Sequence, residues 1–263
     1  SSMMYLLTPF LLLRLWWKGR QLPAYRARIA ERFCWGIQPK ASYDLWIHAV
    51  SLGEVIAVIP LVDKLLAKQW RLLITTMTPT GAQRVQTYFG DKVAHRYVPY
   101  DLPLVLDRFF SANTIKMGVI VETELWPNLI VYAARYRIPL LLINARLSER
   151  SSRGYQQFAF FFRPLLNHFQ SIFAQSTADA QRFIEVGAAS EKVRVLGNIK
   201  FDAETTFVDP ALFKQLKQAW GMERCVLLLA STHDDEEYQL LAQLHILQKN
   251  ISNIIVLIAP RHP

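Results

Sequence analysis

The sequence has few cysteines and no metal-type or nucleotide-binding signature. Its two cysteines, Cys34 and Cys225, lie far apart, which favours a reduced cytoplasmic protein with inert thiols. None of its six histidines forms a ligand pair such as H-x-x-x-H, so no metal is expected, and His48 and His168 are interpreted as packing or capping residues. The glycines form no G-x-G-x-x-G or Walker loop, which argues against a classical dinucleotide enzyme.

The composition is that of a basic globular protein. The 263 residues are 52% hydrophobic and 19% charged, which excludes a disordered chain. The net charge of +9 indicates an anionic partner: nucleic acid, anionic lipid or a phosphorylated substrate. Because no basic run or RNA-binding signature accompanies the aromatic residues, nucleic acid is not expected as the partner.

The amino-terminal segment is apolar and aromatic from Met3 to Trp17, and basic residues follow at Lys18 and Arg20. This stretch is shorter than the roughly 20 apolar residues that a spanning helix needs. Trp16 and Trp17 beside the basic residues are typical of a membrane interface with the basic side cytoplasmic. We therefore predict that residues 1–20 associate with the membrane; the alternative is an amphipathic helix packed on the domain.

Apolar runs of strand length alternate with helical patterns along most of the chain. The predicted strands are Tyr43–His48, Leu72–Thr76, His95–Val98, Met117–Val121, Leu140–Ile143, Ser171–Ala174 and Val193–Leu196. The predicted helices between them are Val55–Ala67, Gly81–Phe89, Leu104–Phe110, Asn128–Arg135, Tyr155–Phe169 and Ala178–Val186. This βαβα alternation predicts an α/β fold with a parallel doubly wound sheet.

The alternation breaks near Phe201–Pro210, where we place a linker. It separates a first Rossmann-like domain, residues 21–200, from a second one, residues 211–263. The second domain has the predicted elements Ala211–Trp220, Cys225–Ala230, Glu236–Lys249 and Ile254–Ile258. Because two strands and two helices are too few for an independent core of the usual size, we expect this domain to be truncated.

The stretch "HAVSLGEVIAVIPLV" carries the first candidate site residue. Ser51 and Glu54 fit the capping box, in which the Ser side chain takes a free amide at the helix start and the Glu reaches back to the amide of the cap residue. The same Glu follows an apolar strand, where α/β proteins bind ligands. Glu54 is therefore a helix cap or a catalytic base. Pro60 lies within the predicted helix Val55–Ala67, which predicts a kink or a late start of that helix.

Two more strand ends carry candidate groups. "MTPTGAQR" offers Thr78 or Thr80 as the cap of a helix whose free amides bind anions, with Arg84 one turn in. By itself this stretch is more typical of an ordinary capped helix with a solvated arginine. "ETELWPN" places Glu122 and Glu124 where a strand ends. The two carboxylates could act together in acid/base catalysis or in binding a substrate hydroxyl. The alternative is that they form ion pairs with nearby cations.

Polar and basic groups also follow the later strands. "NARLSERS" places Arg146 after one strand, and "GNIKFD" places Asn198 and Lys200 after another. If the topology holds, several cations surround one crevice, which suits an anionic substrate or leaving group. These cations are Arg84, Arg146, Lys200, Arg261 and His262.

Eight motifs occur in one order along the chain: "HAVSLGE", "TTMTPTGAQRVQ", "YVPYDLP", "ETELWPNLI", "NARLSERS", "LGNIKFD", "STHDDEE" and "APRHP". Together they resemble the 3-deoxy-D-manno-octulosonic acid (Kdo) transferases of Gram-negative bacteria, from about Leu11 to Pro263. The amino-terminal "LRLWWKGRQLPAYRARIAERF" also resembles the membrane-anchoring segment of that family.

The resemblance implies a glycosyltransferase of the GT-B type, with two Rossmann-like domains facing a cleft, on the cytoplasmic face of the inner membrane. Such an enzyme transfers Kdo from CMP-Kdo to a hydroxyl of the lipid A precursor (lipid IVA) in lipopolysaccharide core biosynthesis. Its amino-terminal domain binds the lipid acceptor and its carboxyl-terminal domain binds CMP-Kdo. It needs no metal and no other cofactor.

By motif, the resemblance makes Glu54 the catalytic base that takes the proton of the acceptor hydroxyl. Position at a helix start is expected to lower the pKa of Glu54 through the helix dipole. Either Glu122 or Glu124 orients the acceptor or supports the base. The residues assigned to acceptor and anion binding are Ser51, Gly53, Thr80, Arg84, Arg146 and Lys200. The residues assigned to the donor are Asn198, Ser231, Thr232, His233, Arg261 and His262.

The sequence departs from the family pattern in two places. Asp235 stands where the family usually has Gly, and the glycine-rich "GGHN"-type segment that holds the nucleotide in the family would follow "PRHP". The competing hypothesis is therefore a non-catalytic, membrane-associated lipid A-binding fragment without a complete donor site. A nucleotide-sugar epimerase, another GT-B enzyme, would explain neither the amino-terminal segment nor "ETELWPN".

Overall fold

The chain divides into two compact units, Ser1–Glu204 and Thr205–Pro263. The computed structural model describes residues 16–17, 19–20, 23–26, 28–35, 40–202, 209–221, 223–251 and 253–261, except the side chain of Asp234.

The first unit alternates strands and helices. Its strands are β1 (Ala41–Tyr43), β2 (Leu45–His48), β3 (Leu72–Thr76), β4 (Ala94–Tyr97), β5 (Asn113–Ile115), β6 (Gly118–Val121), β7 (Leu140–Ala145), β8 (Phe169–Ala174) and β9 (Val193–Val195). Its helices are α1 (Ile29–Arg32), α2 (Leu52–Ala67), α3 (Pro79–Phe89), α4 (Pro103–Ala112), α5 (Pro127–Arg135), α6 (Glu149–Gln157), α7 (Ala159–Asn167) and α8 (Thr177–Val186).

Seven strands form one parallel sheet in the order β4-β3-β2-β6-β7-β8-β9. The first three strands along the chain run outward to one side, and the last four run to the other. The strand order therefore reverses between β2 and β6. Ligands of open α/β sheets bind beyond the carboxyl ends of the strands at such a reversal.

Helices cover both faces of this sheet, as the doubly wound prediction requires. On one face α2 and α3 bury Val55, Val58 and Val85. On the other face α4, α5, α7 and α8 surround a core that includes Trp46 and Phe183. Strands that are buried on both faces are continuous apolar stretches in the sequence, so most of these strands could be predicted from it.

Three local predictions were wrong. The strand predicted at Tyr43–His48 is interrupted at Asp44. The Asp44 carboxylate accepts a hydrogen bond from the Arg71 amide (2.8 Å) and forms a salt bridge with Lys116. The part before the break, β1, forms a separate two-stranded parallel sheet with β5. Of the two alternatives at Pro60, the late start was wrong: the helix predicted over Val55–Ala67 begins at Leu52 and runs through Pro60. The single helix predicted over residues 155–169 is divided into α6 and α7 at Phe158.

The second unit contains a two-stranded parallel sheet and three helices. The strands are β10 (Cys225–Thr232) and β11 (Ile254–Pro260), and the helices are α9 (Pro210–Trp220), α10 (Asp234–Ala242) and α11 (Leu244–Asn250). The predicted helix Glu236–Lys249 is divided at Gln243. Among the described residues, no helix has the length and apolar character needed to cross a membrane. The predicted membrane segment, residues 1–20, lies mostly outside the described residues.

Candidate functional site

Glu54 lies at the carboxyl end of β2, in the first turn of α2, and its side chain is only 5% exposed. Its two carboxylate oxygens are both hydrogen-bonded. Oε1 accepts from the Ser51 hydroxyl (2.7 Å) and Oε2 accepts from the Val50 amide (2.8 Å). The capping box is therefore modified: Ser51 accepts the Glu54 amide as expected (3.4 Å), whereas Glu54 takes the amide before the cap residue instead of the cap's own.

The pKa of Glu54 is raised to about 7, mainly because burial removes the carboxylate from water. The hydrogen bonds from Ser51 and Val50 lower it again, and the charges of Glu124 and Glu122 raise it further. The expectation of a lowered pKa was wrong, since desolvation of the buried carboxylate outweighs the hydrogen bonds that lower its pKa. A carboxylate with a pKa near neutrality is well matched to general-base work.

The start of α3 lies directly beside the start of α2. The Val50 carbonyl accepts from the amides of Met77 (3.0 Å) and Thr78 (3.2 Å). Gly81 allows this approach, because a Cβ there would lie 3.4 Å from the Ser51 carbonyl carbon and 3.0 Å from Thr78 Oγ1. Two helix amino termini, with their free amides, thus face the same end of the sheet.

Thr78, one of the two candidates, is the cap of α3: its hydroxyl oxygen accepts the Gly81 amide at 3.2 Å. Thr80 is exposed, with its Oγ1 3.4 Å from that of Thr78. Arg84 follows one turn into α3, half-buried, with its guanidinium over the Tyr88 ring (5.3 Å). Its Nε is buried and has no hydrogen-bond partner among the described residues.

The turn after β6 brings the acidic pair to this site. Glu122 has a left-handed backbone (φ 61°), and its Oε1 lies 3.3 Å from Lys200 Nζ. Glu124 Oε2 accepts from the Trp126 indole nitrogen at 2.8 Å. Because β2 and β6 are neighbours, both carboxylates are near enough to Glu54 to act on its pKa. The structure therefore brings Glu54, Glu122, Glu124 and Lys200 together.

The loops after β7 and β9 complete this edge of the sheet. Arg146 is exposed, and its carbonyl accepts from the Thr123 hydroxyl in the β6 turn. Asn198 Oδ1 accepts the Lys200 amide at 3.0 Å, which orients the segment that carries the Lys200 side chain. Gly53 is exposed, and a Cβ there would meet open space, with only Ser51 Oγ at 4.0 Å.

One residue of this edge, Asp101, was missed at the sequence level, and the capping contact of Asn144 was not predicted. Asp101 caps α5 by accepting the amides of Asn128 (3.1 Å) and Leu129 (2.7 Å). Asn144, with φ 53°, accepts the Ile199 amide at 3.1 Å. Both stand in quoted motifs, "YVPYDLP" and "NARLSERS", where Asx side chains after a strand are a signal for backbone capping.

His48 is fully buried, as its interpretation as a packing residue expects. Its Nδ1 lies 3.0 Å from Thr75 Oγ1, and burial lowers its pKa to about 4. Its Nε2 is buried without a hydrogen-bond partner among the described residues. The imidazole is therefore neutral at physiological pH.

The residues assigned to the donor lie mostly in the second unit. The amide of Arg261 donates to the Thr232 carbonyl (3.0 Å), and Arg261 Nη1 lies 3.4 Å from His233 Nε2. Ser231 has a left-handed backbone with φ 60°. The carboxyl ends of β10 and β11 thus bring three of these residues together, while His262 lies outside the described residues. No group of metal-binding side chains occurs among the residues the structure describes.

The amino-acid sequence is similar to a family described as 3-deoxy-D-manno-octulosonic-acid transferase (kdotransferase), whose model matches residues 27–203. A 3-deoxy-D-manno-octulosonic acid transferase of Haemophilus influenzae is 37% identical over the whole chain, and the match covers 62% of that relative. One from Bordetella pertussis is 31% identical over 83% of this chain and 52% of the relative. The chain therefore spans about half to two thirds of the length of these relatives.

Solved structures share the fold at low sequence identity. The UDP-GlcNAc 2-epimerase of Neisseria meningitidis superimposes with a TM-score of 0.56 at 17% identity, over 83% of this chain and 64% of that one. The corresponding enzyme of Methanocaldococcus jannaschii gives a TM-score of 0.54 at 14% identity, over 83% and 66% of the two chains. The α/β fold of the GT-B type is thereby confirmed.

Proposed function

Because the chain belongs to the 3-deoxy-D-manno-octulosonic-acid transferase family, we propose that it serves the transfer of Kdo from CMP-Kdo to a hydroxyl of the lipid A precursor. The observation that carries this proposal is the Glu54 carboxylate, buried where the strand order reverses and carrying a pKa of about 7.

In the proposed reaction the acceptor hydroxyl oxygen attacks the anomeric carbon of Kdo. Its proton passes to a Glu54 carboxylate oxygen, and CMP leaves with the electron pair of the broken glycosidic bond. The hydrogen bonds from Val50 and Ser51 fix the direction in which this carboxylate points. Positioned base catalysis of this kind contributes about 10²–10⁴-fold.

We assign the acceptor to the first unit. Lys200 lies beside Glu122 at the carboxyl edge of the sheet, and Arg84, in α3, has a buried Nε without a hydrogen-bond partner among the described residues. Together with the exposed Arg146 these groups suit the phosphates of a lipid A precursor, since guanidinium and ammonium groups donate to phosphate oxygens. Glu122 and Glu124 would hold acceptor hydroxyls.

The lipid acceptor implies work at a membrane surface, and exposed aromatic side chains support this. Trp17 is 71% exposed beside the basic amino-terminal residues. Phe158, Phe160 and Phe161, around the start of α7, are 55%, 79% and 44% exposed. Exposed aromatic clusters flanked by arginines are typical of membrane interfaces, here the cytoplasmic face of the inner membrane.

We assign CMP-Kdo to the second unit, at the carboxyl ends of β10 and β11. Arg261 and His233 would take the charge that develops on the leaving phosphate, and the Ser231 hydroxyl would donate from the same turn. The Thr232 hydroxyl donates to Glu237, so Thr232 would help to shape this turn. In this proposal side chains, with no metal, stabilise the leaving group.

The test is Glu54→Gln, assayed for Kdo transfer and thermal melting in a chain extended with the carboxyl-terminal part of the Haemophilus influenzae relative. Gln preserves the size of the side chain and cannot take the proton, so transfer should fall about 10²-fold or more with little change in melting. Glu185→Gln, an exposed carboxyl on α8, is the matched control. Activity that survives in Glu54→Gln would refute the base assignment.

Binding of CMP-Kdo to the 263-residue chain itself tests the alternative. A fragment that only binds lipid A precursor should bind the lipid and show no CMP-Kdo binding. Binding of both ligands would instead support a functional donor site in the second unit.

A further inference from the structure

A second polar cavity lies in the first unit, away from the Glu54 site. Its volume is about 290 Å³, and it is lined by Cys34, Trp35, Arg96, Arg108, Phe109, Ser111 and Ala112. The helix α4 runs back from the carboxyl ends of the strands, so its last turn, with Ser111 and Ala112, lies at the opposite end of the sheet from Glu54. None of the residues assigned to acceptor or donor lines this cavity.

Two arginines from different elements converge on the cavity. Arg96 comes from β4, at the edge of the sheet, and Arg108 comes from α4. Neither forms an ion pair among the described residues, although other arginines of this unit, such as Arg28 and Arg182, do. Two guanidinium groups that share a cavity repel each other unless an anion lies between them.

Among the described residues, no carboxylate lines the cavity. Both oxygens of Glu31, the carboxylate that acts on Cys34, are already occupied: Oε1 by Arg28 (2.8 Å) and Oε2 by the Tyr97 amide (3.1 Å). Burial raises the pKa of Cys34 to about 11, so the thiol stays neutral at physiological pH. The described lining therefore offers donors and no competing negative charge.

Two aromatic side chains also line the cavity. Trp35 is 56% exposed and stacks on Phe33, with ring centroids 4.9 Å apart, and Phe109 is buried. The volume is at the small end of the range for ligand pockets, which suits a phosphate with a small organic group. Planar guanidinium groups match phosphate oxygens in pairs of hydrogen bonds, and the aromatic walls suit the carbon part of an ester.

We propose that Arg96 and Arg108 form a binding site for the phosphate of a phosphate ester. The ester is either a free small molecule or the headgroup of a phospholipid. This site is independent of the proposed transferase reaction, because none of its lining residues is among those assigned to that reaction.

The experiment titrates the 263-residue chain with inorganic phosphate and with sn-glycerol 3-phosphate by calorimetry, and with vesicles of phosphatidylglycerol in phosphatidylcholine by co-sedimentation. The test variant is Arg96→Gln combined with Arg108→Gln. The matched control is Arg137→Gln combined with Arg194→Gln, which removes the same charge from exposed positions elsewhere on the unit. The control corrects for general attraction between a basic protein and anionic vesicles.

The test variant should weaken phosphate binding by about tenfold or more relative to both wild type and control. Saturable binding of the free phosphates identifies a small-molecule ligand. A loss of vesicle binding specific to the test variant, with no binding of free phosphates, identifies a lipid headgroup. The proposal fails if wild type binds neither free phosphate and the two double variants bind vesicles equally, or if the test variant retains full phosphate binding. Arg108→Gln alone, at an exposed helical position, serves if the double variant does not fold.

Discussion

The indole nitrogen of Trp126 donates to Glu124 Oε2 at 2.8 Å, while the indole ring lies edge-on to the imidazole of His48, with centroids 5.5 Å apart and planes at 76°. A fully buried ring thus supports the tryptophan that orients one carboxylate of the site. Since Glu124 contributes to the raised pKa of Glu54, the contact between Trp126 and Glu124 bears on the protonation of the proposed base.

Trp126→Phe should lower the pKa of Glu54. Phe preserves the contact with His48 and lacks the N–H donor, so Glu124 is free to turn towards solvent. With less negative charge nearby, Glu54 ionises at lower pH, and the acid limb of the transfer rate shifts to lower pH. The stability cost should be about 0.5–1.5 kcal/mol, that of one hydrogen bond. An unchanged pH–rate profile would contradict the role assigned to Trp126.

The pH dependence of stability should reveal Glu54 directly. Folding raises the pKa of this carboxyl from 4.5 to about 7, so the folded chain binds the proton more tightly than the unfolded chain. Relative to Glu54→Gln, wild type should therefore lose on the order of 3 kcal/mol of stability as pH rises from 4.5 to 7. Urea unfolding of both proteins across this range measures the difference. A difference that does not vary with pH would show that the pKa is not raised.

His48 should act in the opposite sense. Folding lowers its pKa from 6.5 to about 4 because the ring is fully buried, so only the unfolded chain gains a proton between these values. Wild type should lose on the order of 3 kcal/mol relative to His48→Phe as pH falls from 6.5 to 4. At pH 7.5 the variant should be less stable by about 1 kcal/mol, since it lacks the Thr75 contact. His245→Gln, at an exposed position, should show neither effect.

Gly81 and Gly53 should respond differently to alanine. At Gly81 the added Cβ would lie only 3.0 Å from Thr78 Oγ1, the cap of α3, so this cap must shift, which should cost about 0.5–2 kcal/mol. At Gly53 the Cβ enters open space, so thermal melting should be maintained. If the acceptor reaches Glu54 by passing over Gly53, Gly53→Ala should raise the KM for the acceptor although it leaves stability unchanged. Equal melting temperatures for the two variants would show that the added Cβ does not displace the Thr78 cap.

Much of the fold could be predicted from sequence because strands buried on both faces read as apolar runs. β3 has the predicted bounds, Leu72–Thr76. The break at Asp44 was missed, because it depends on Arg71 and Lys116, which are distant along the chain. The division of the long helix at Phe158 was missed as well.

The candidate site, like the fold, was predicted only in part. Residue types at strand ends indicated Glu54, Glu122 and Lys200, and the structure places them at one edge of the sheet. The sign of the pKa shift of Glu54 could not be predicted, since it depends on burial, which a single motif does not reveal. Trp126 was quoted within "ETELWPN", but its role needs the position of His48 on a neighbouring strand.

The contacts of Val50 have a consequence for how this site can be dissected. Its amide holds Glu54 and its carbonyl holds the start of α3, so both contacts belong to the main chain. An alanine scan would leave them intact and would score this position as silent. Replacing the Val50 amide with an ester, by semisynthesis, would remove the one donor to Glu54 Oε2 among the described residues and leave every side chain unchanged. Side-chain substitutions therefore do not reveal the contribution that the Val50 main chain makes to this site.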